Sequence, residues 1–288
     1  MTWEETILMI RQKPEYAYLV RYAYFDPDLS LNVERFRTDG EYEETLRIIR
    51  EYKPDAKHIV DIGAGNGIAS VAFALDGYRV TAVEPDESAA VGANAINWLK
   101  NHYKLPNLEI IGITAEHLPL ADNTVDVVYA RQAMHHAHDL NTFVAQAARV
   151  LKNGGLFITV RDHVTNTPQE KQQFLRNHPL QQYYHGENAF GLTEYKEAIQ
   201  LAGLHINEIL SHYQSPINYF PATTESLMQE KKEYDQNLEK GLREKIGVLS
   251  QSNTVFKLYR EYISRRYGRI QDESLMPGRL YSFVALKP

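Results

Sequence analysis

The residues best suited to chemistry begin with Asp61-Ile62-Gly63-Ala64-Gly65-Asn66-Gly67, which follows a short apolar run and opens an amphipathic stretch. Glycines there let the backbone turn sharply and approach a ligand without interference from Cβ. A dinucleotide site would need the spacing G-x-G-x-x-G, which rests a pyrophosphate on a helix N-terminus. Here the glycines fall at 63, 65 and 67 and position 68 is Ile, so that spacing fails. Asp61 would repel a pyrophosphate, yet it can accept hydrogen bonds from an ammonium group. Glu84-Pro85 closes the next apolar run, where a carboxylate can accept both hydroxyls of a ribose. Together these positions request a ligand with a ribose, a positive charge and no phosphate.

A second group of reactive side chains comprises Gln132, His135 and His136, then Arg161, Asp162 and His163. A histidine near its ordinary pKa suits general-base work, worth roughly 10²–10⁴-fold in rate. His136 and His163 are the candidates for that role, against the alternative that each satisfies loop backbone or hydrogen-bonds a substrate. Arg161 could clamp a carboxylate or phosphate, and an ion pair is its alternative. His135, His136, His138 and His163 have the chemistry of metal ligands. Adjacent histidines at a helix start rarely converge on one ion, so no metal is expected.

These residues need a scaffold of alternating elements. Short apolar runs at 58–62, 79–83, 108–111, 125–129 and 156–160 read as strands. Between them, Ile68, Val71, Ala72 and Leu75 mark one helix, residues 86–102 a second, and Leu140, Phe143, Ala147 and Val150 a third. Such alternation means βαβ units around a parallel sheet. Both reactive groups fall beyond the carboxyl ends of the strands, where open α/β sheets bind ligands. Residues 1–55 read as a helical cap, with a capping box at Thr38-Asp39-Gly40-Glu41. Residues 192–202 form another helix, 206–210 a sixth strand and 280–286 a closing strand. The 214–279 interval reads as an insertion, with helices near 224–247 and 254–267, and serves as a pocket cap or an oligomerisation element. Val255, Leu258, Tyr259, Tyr262 and Ile263 mark the inner face of its second helix.

The glycine loop with Glu84-Pro85 resembles the first two motifs of class I S-adenosylmethionine (SAM)-dependent methyltransferases. Ala115-Glu116-His117-Leu118-Pro119-Leu120-Ala121-Asp122, Arg149-Val150-Leu151-Lys152-Asn153-Gly154-Gly155 and Phe283-Val284-Ala285-Leu286-Lys287-Pro288 resemble its ubiquinone/menaquinone-biosynthesis-like branch. The likeness is close over 56–161 and loose over 188–210 and 280–288. It implies a doubly wound, Rossmann-like, seven-stranded and mostly parallel sheet with helices on both faces, the domain spanning 56–213 and 280–288. It also implies SAM as cofactor and S-adenosylhomocysteine as product. By position, Gly63, Ala64, Gly65 and Gly67 would cradle the methionine moiety with Asp61 nearby. Glu84, beside Pro85, would hold the ribose, Ala115 and Glu116 would flank the adenine, and Ala130 and Arg131 would face the cofactor. Thr114 stands where the family often has Asp, and Asn153 where it has Pro.

A net charge of −6 and a pI near 6.0 disfavour a nucleic-acid partner, which needs a basic surface. The chain has no cysteine, which excludes disulfides, thiolate nucleophiles and Cys-ligated metal centres. No signal peptide or membrane span is read, so the expected setting is cytoplasmic. Arg260, Arg265, Arg266 and Arg269 read as a solvated helix face rather than a phosphate site. The polar, aromatic stretch 178–188 suits a hydroxyl-rich, saccharide-like acceptor. The expected activity is methylation, by O-transfer, of a small polar molecule, with a homodimer allowed. A nucleic-acid methyltransferase and a non-catalytic SAM-binding protein are the alternatives.

Overall fold

A computed structural model describes residues 1–247, 252–267 and 278–288. The N-terminal part holds α1 (Trp3–Ile10), α2 (Ala17–Tyr22), α3 (Leu29–Arg37) and α4 (Gly40–Tyr52). The alternating part follows as β1 (His58–Ile62), α5 (Ile68–Leu75), β2 (Arg79–Val83), α6 (Ala93–Tyr103), β3 (Leu108–Ile111), β4 (Val125–Arg131), α7 (Leu140–Val150) and β5 (Leu151–Val164). The remainder is α8 (Pro168–Asn177), α9 (Gln181–Tyr184), α10 (Leu192–Leu201), β6 (His205–Leu210), α11 (Pro216–Tyr219), α12 (Thr224–Ile246), α13 (Asn253–Tyr267) and β7 (Arg279–Leu286).

The seven strands form one sheet in the order β3-β2-β1-β4-β5-β7-β6. The first five pair in parallel, and β7 runs antiparallel between β5 and β6. Central strands such as β1 and β4 are apolar on both faces because helices cover both, which suits a parallel sheet. One core joins Phe73, Tyr129 and Ile158 to Phe36 and Ile49 of the N-terminal helices. A second joins Val60, Val128 and Phe157 to α7 and α10, and a third, smaller one packs Ile7 and Ile10 of α1 with Val91 and Leu180. The sheet order reverses at β1 and β4, and the crevice there is the natural ligand site of such a fold. The expected doubly wound sheet is therefore present. No helix among the described residues is long and apolar enough to cross a membrane.

Four local expectations need correction. The second crossover helix starts at Ala93 rather than near 86, because side-chain carboxylates take the preceding amides: Asp86 N–H goes to Glu84, Ser88 N–H to Asp86, and Ala89 and Ala90 N–H to Glu4. Thr38 and Glu41 make no capping box. The Thr38 hydroxyl donates back to Glu34 and Arg35 carbonyls at the end of α3, and Glu41 turns into the protein. The fifth strand runs to Val164, with its register shifting between Thr159 and Asp162. On α13, Leu258 and Tyr262 are exposed, whereas Val255, Tyr259 and Ile263 are half-buried. Of the arginines read as one basic face, Arg260 pairs with Asp235 at 3.1 Å; Arg269 and the side chains of Arg265 and Arg266 lie outside the description.

Candidate functional site

The glycine loop is fixed from both sides. Gly63 and Ala64 N–H groups both donate to Val83 O, at 2.9 and 3.2 Å, tying the loop to the end of β2. Gly63 has φ +68°, and a Cβ built there would stand 2.6 Å from Ala133 Cβ, just beyond β4. Only glycine satisfies both conditions. Gly67, at φ +82°, is the N-cap of α5. Asn66 Nδ2 donates to Tyr24 O at 2.7 Å, and Ser70 Oγ donates to Asp61 Oδ2 at 2.5 Å.

Glu84 is buried at the end of β2, and its two oxygens accept the amides of Gly65 (2.6 Å) and Asp86 (2.9 Å). Burial pushes its carboxyl up to about 7 despite those donors. Burial likewise pushes Asp61 up to about 6, against the Ser70 hydroxyl. Both carboxylates are costly to ionise in this place, so a cationic or hydroxyl-bearing ligand would relieve them.

Just beyond β4, and at the irregularity within β5, the chain takes unusual backbone angles. Gln132 has φ +49° and Arg161 φ +62°, both rare for residues with side chains. The Arg161 amide donates to Ser282 Oγ at 3.1 Å, within the irregular pairing of β5 and β7. Such bulges re-aim side chains beside active sites. Arg161 points to Glu41 at 3.1 Å and to Phe220 O at 2.9 Å. Arg131 binds the same carboxylate in a fork, at 2.5 and 3.0 Å, and lies over the Tyr24 ring. Glu41 is fully buried; burial alone would raise its pKa, but the two guanidiniums hold it below the usual carboxylate range. The ion-paired reading of Arg161 is thus the one its surroundings match.

The other half of the site is a histidine cluster. The His135 amide donates to Asp162 Oδ1 at 3.0 Å, and the same oxygen lies 3.0 Å from His135 Nδ1. His163 donates Nδ1–H to Gly278 O at 2.8 Å, and its ring meets that of His135 at a centroid distance of 4.8 Å. His136 lies at the surface, and donates Nδ1–H to Gly186 O at 2.9 Å. Glu187 reaches in from the segment after α9, with its Oε1 accepting the Tyr184 hydroxyl at 2.9 Å and lying 3.7 Å from His178 Nδ1. Burial lowers His135 well below the ordinary imidazole value and His163 to about 3. It raises Glu187, and raises Asp162 to about 7.

One cavity of about 600 Å³ joins the two halves, a size typical of small-molecule sites. Of the residues singled out in the sequence, Asp61, Gly63, Ala64, Gly65, Glu84, Pro85, Ala115, Glu116, Arg131, His136, Arg161 and His163 all line it. Gly67 and Ala130 do not line it: Gly67 shapes the helix start and Ala130 is buried in the core under β4. The cover comes from the N-terminal segment, with Trp3, Leu19 and Phe25, and from Leu180 and Tyr184. No described residue of the 214–279 insertion lines the cavity. Sequence reasoning missed Glu41 and Glu187, and it named Asp162 and His135 without foreseeing that they pair.

Comparison with known proteins agrees with this geometry. Residues 60–159 match the family model described as "Methyltransferase domain". The chain is 30% identical over 143 residues to the uncharacterized methyltransferase YcgJ of Bacillus subtilis, covering 48% of this chain and 55% of that one. It is 33% identical over 118 residues to the ubiquinone/menaquinone biosynthesis C-methyltransferase UbiE of Rubrivivax gelatinosus, covering 39% of this chain and 42% of that one. The matches thus span about half the length of these relatives or less. In structure, the crystal structure of YcgJ aligns with a TM-score of 0.53 at 18% identity, over 85% of this chain and 98% of that one. A geranyl diphosphate C-methyltransferase from Streptomyces coelicolor, in a complex holding S-adenosyl-L-homocysteine, aligns with a TM-score of 0.55 at 16% identity, over 91% and 84%. At such identities these structural likenesses speak for the fold.

Proposed function

We propose that this chain, which carries a SAM-dependent methyltransferase domain, transfers a methyl group to an oxygen of a small polar, hydroxyl-rich molecule. The observation that carries the proposal is the single cavity, with a glycine loop and Glu84 at one end and hydrogen-bonding histidines at the other. The cofactor end fits SAM. Glu84 faces it as a ribose acceptor, Asp61 as an acceptor for cationic groups, and the loop lacks the Cβ atoms that would fill the space. The two arginines lining the cavity are both engaged by Glu41, so neither is poised for a pyrophosphate.

When bound, SAM supplies an electrophilic methyl group on a sulfonium. The protein's work is then to hold an acceptor oxygen about 3–3.5 Å from that carbon and to exclude water. Trp3, Phe25 and Tyr184 form an aromatic lid, with ring centroids of Trp3 5.5 Å from Phe25 and 4.7 Å from Tyr184. His136 spends Nδ1–H on Gly186 O, which leaves Nε2 as the atom that takes the acceptor's proton. His178, Tyr184 and Glu187 offer the acceptor polar contacts, which favours a polyhydroxylated molecule over a lipid-like quinone.

The test is calorimetric titration of the protein and a Glu84→Ala variant with S-adenosylhomocysteine. The expected result is micromolar binding that weakens at least about tenfold in the variant, since one charged hydrogen bond contributes about 1.5–3 kcal/mol. A wild type that does not bind refutes the cofactor assignment. A methyl-transfer screen in which only quinones or phenols react refutes the acceptor class.

A further inference from the structure

We propose that His135, His163 and Glu187 form a binding site for one divalent transition-metal ion at the acceptor end of the cavity. One ligand atom from each lies within 4.8 Å of the other two, and all three residues line the cavity. The His135 Nε2 to Glu187 Oε2 distance is 4.0 Å. Donors sharing an ion at about 2.1 Å stand about 3–3.5 Å apart, so the set must draw in by about 1 Å, which side-chain rotation supplies.

The surroundings of the three groups carry the argument further. A metal-ligating histidine nearly always gives its second ring nitrogen to a carboxylate or a backbone carbonyl, which fixes the tautomer and aims the free nitrogen. His135 has such a partner in Asp162, and His163 has one in Gly278 O. In both rings Nδ1 is therefore occupied, and Nε2 is left for an ion. Glu187 is held the same way. Its Oε1 accepts the Tyr184 hydroxyl, its amide donates to Gln181 Oε1 at 2.9 Å, and Oε2 faces His135. The sequence argued against a metal because His135 and His136 are adjacent. In the structure His136 turns aside to Gly186, and the second imidazole comes from β5 instead.

Two imidazoles and one carboxylate select zinc, iron(II), cobalt or nickel over magnesium or calcium, and leave coordination positions open. Those positions would meet the acceptor, whose oxygen the ion would orient and polarise. That use rests on the methyltransferase reading above; the metal site itself does not.

The test uses chelator-treated full-length protein. It is titrated with Co²⁺, read by its visible absorption, and with Zn²⁺, read by calorimetry. The expected result is one equivalent bound at micromolar affinity or tighter, weakened at least about 100-fold by His163→Asn or Glu187→Gln. Asp162→Asn, as a positioning change, should weaken it about 10–100-fold. Near-UV circular dichroism establishes that each variant is folded, and Glu187→Gln, nearly isosteric, decides the matter should His163→Asn not fold. A wild type without saturable binding overturns the proposal, as does Glu187→Gln binding as tightly as the wild type. Titration of the wild type with S-adenosylhomocysteine alone reports separately on the cofactor end, so failure of one reading is not mistaken for failure of the other.

Discussion

Replacing Glu41 by Gln should destabilise the protein far more than its place on a surface-type helix suggests. The carboxylate is fully buried and shared by Arg131 and Arg161, which are themselves mostly buried, with side-chain exposures of 12% each. Gln keeps the shape and one acceptor oxygen but removes the charge. Two guanidiniums are then left close together with no counter-ion. Breaking a buried ion pair by removing one partner costs about 3–5 kcal/mol. With an unfolding entropy of about 2.1 cal/mol/K per residue, 288 residues turn that loss into a fall in melting temperature of roughly 5–8 °C. Differential scanning calorimetry measures it. S-adenosylhomocysteine affinity should fall with it, because Arg131 and Arg161 line the cavity and Glu41 is what aims them. The double variant Glu41→Gln/Arg161→Met should recover part of the loss, since it removes one of the stranded charges. A Glu41→Gln protein less than about 1 kcal/mol less stable than wild type would refute the reasoning.

Gly63→Ala should weaken S-adenosylhomocysteine more than tenfold and lower stability by at least about 1–2 kcal/mol, the cost of the left-handed backbone alone, before the contact with Ala133 is counted; unchanged binding in calorimetry would show that the loop can shift freely. The pH dependence of cofactor binding follows from Glu84, raised by burial to about 7. Holding two ribose hydroxyls requires the carboxylate, so below pH 7 the complex must expel a proton that the free protein keeps. Affinity should then fall towards tenfold per pH unit between about pH 7 and 5.5. Asp61, raised to about 6, adds to the fall at the acid end, and Glu84→Gln should flatten the upper part of the profile. A wild-type affinity that is constant from pH 5.5 to 8 would dispose of this account.

The parts of the fold legible in the sequence are those whose physics is local. The turn from β1 to α5 needs residues without Cβ at fixed spacing, and the alternation from β1 to β5 suits parallel pairing, which those five strands adopt. Glu84 was legible because it sits one residue beyond a short apolar run. Glu41 was not. Its partners lie 90 and 120 residues away, and its spacing from Thr38 imitates a capping box. The start of α6 was misjudged for a related reason, since the Glu4 carboxylate that holds the Ala89 and Ala90 amides is 85 and 86 residues distant. Glu187 lies in a polar loop, where one carboxylate looks like any other until the fold turns it towards His135.

These long-range contacts have a common origin in the N-terminal segment. Glu4 holds the loop that follows Glu84, Tyr24 O holds Asn66 of the glycine loop, Trp3 and Phe25 cover the cavity, and Glu41 holds both arginines at the strand ends. Residues 1–41 therefore touch several walls of the cofactor end, through these polar contacts and through an apolar cluster in which Ile7 and Ile10 pack with Val91 and Leu180. A segment attached in this way docks only as firmly as the walls it touches are ordered. Any ligand that orders the glycine loop and the loop after Glu84 must then, by linkage, strengthen the docking of the lid over itself. The architecture thereby couples occupation of the cofactor end to closure of the cavity that excludes water from the transfer.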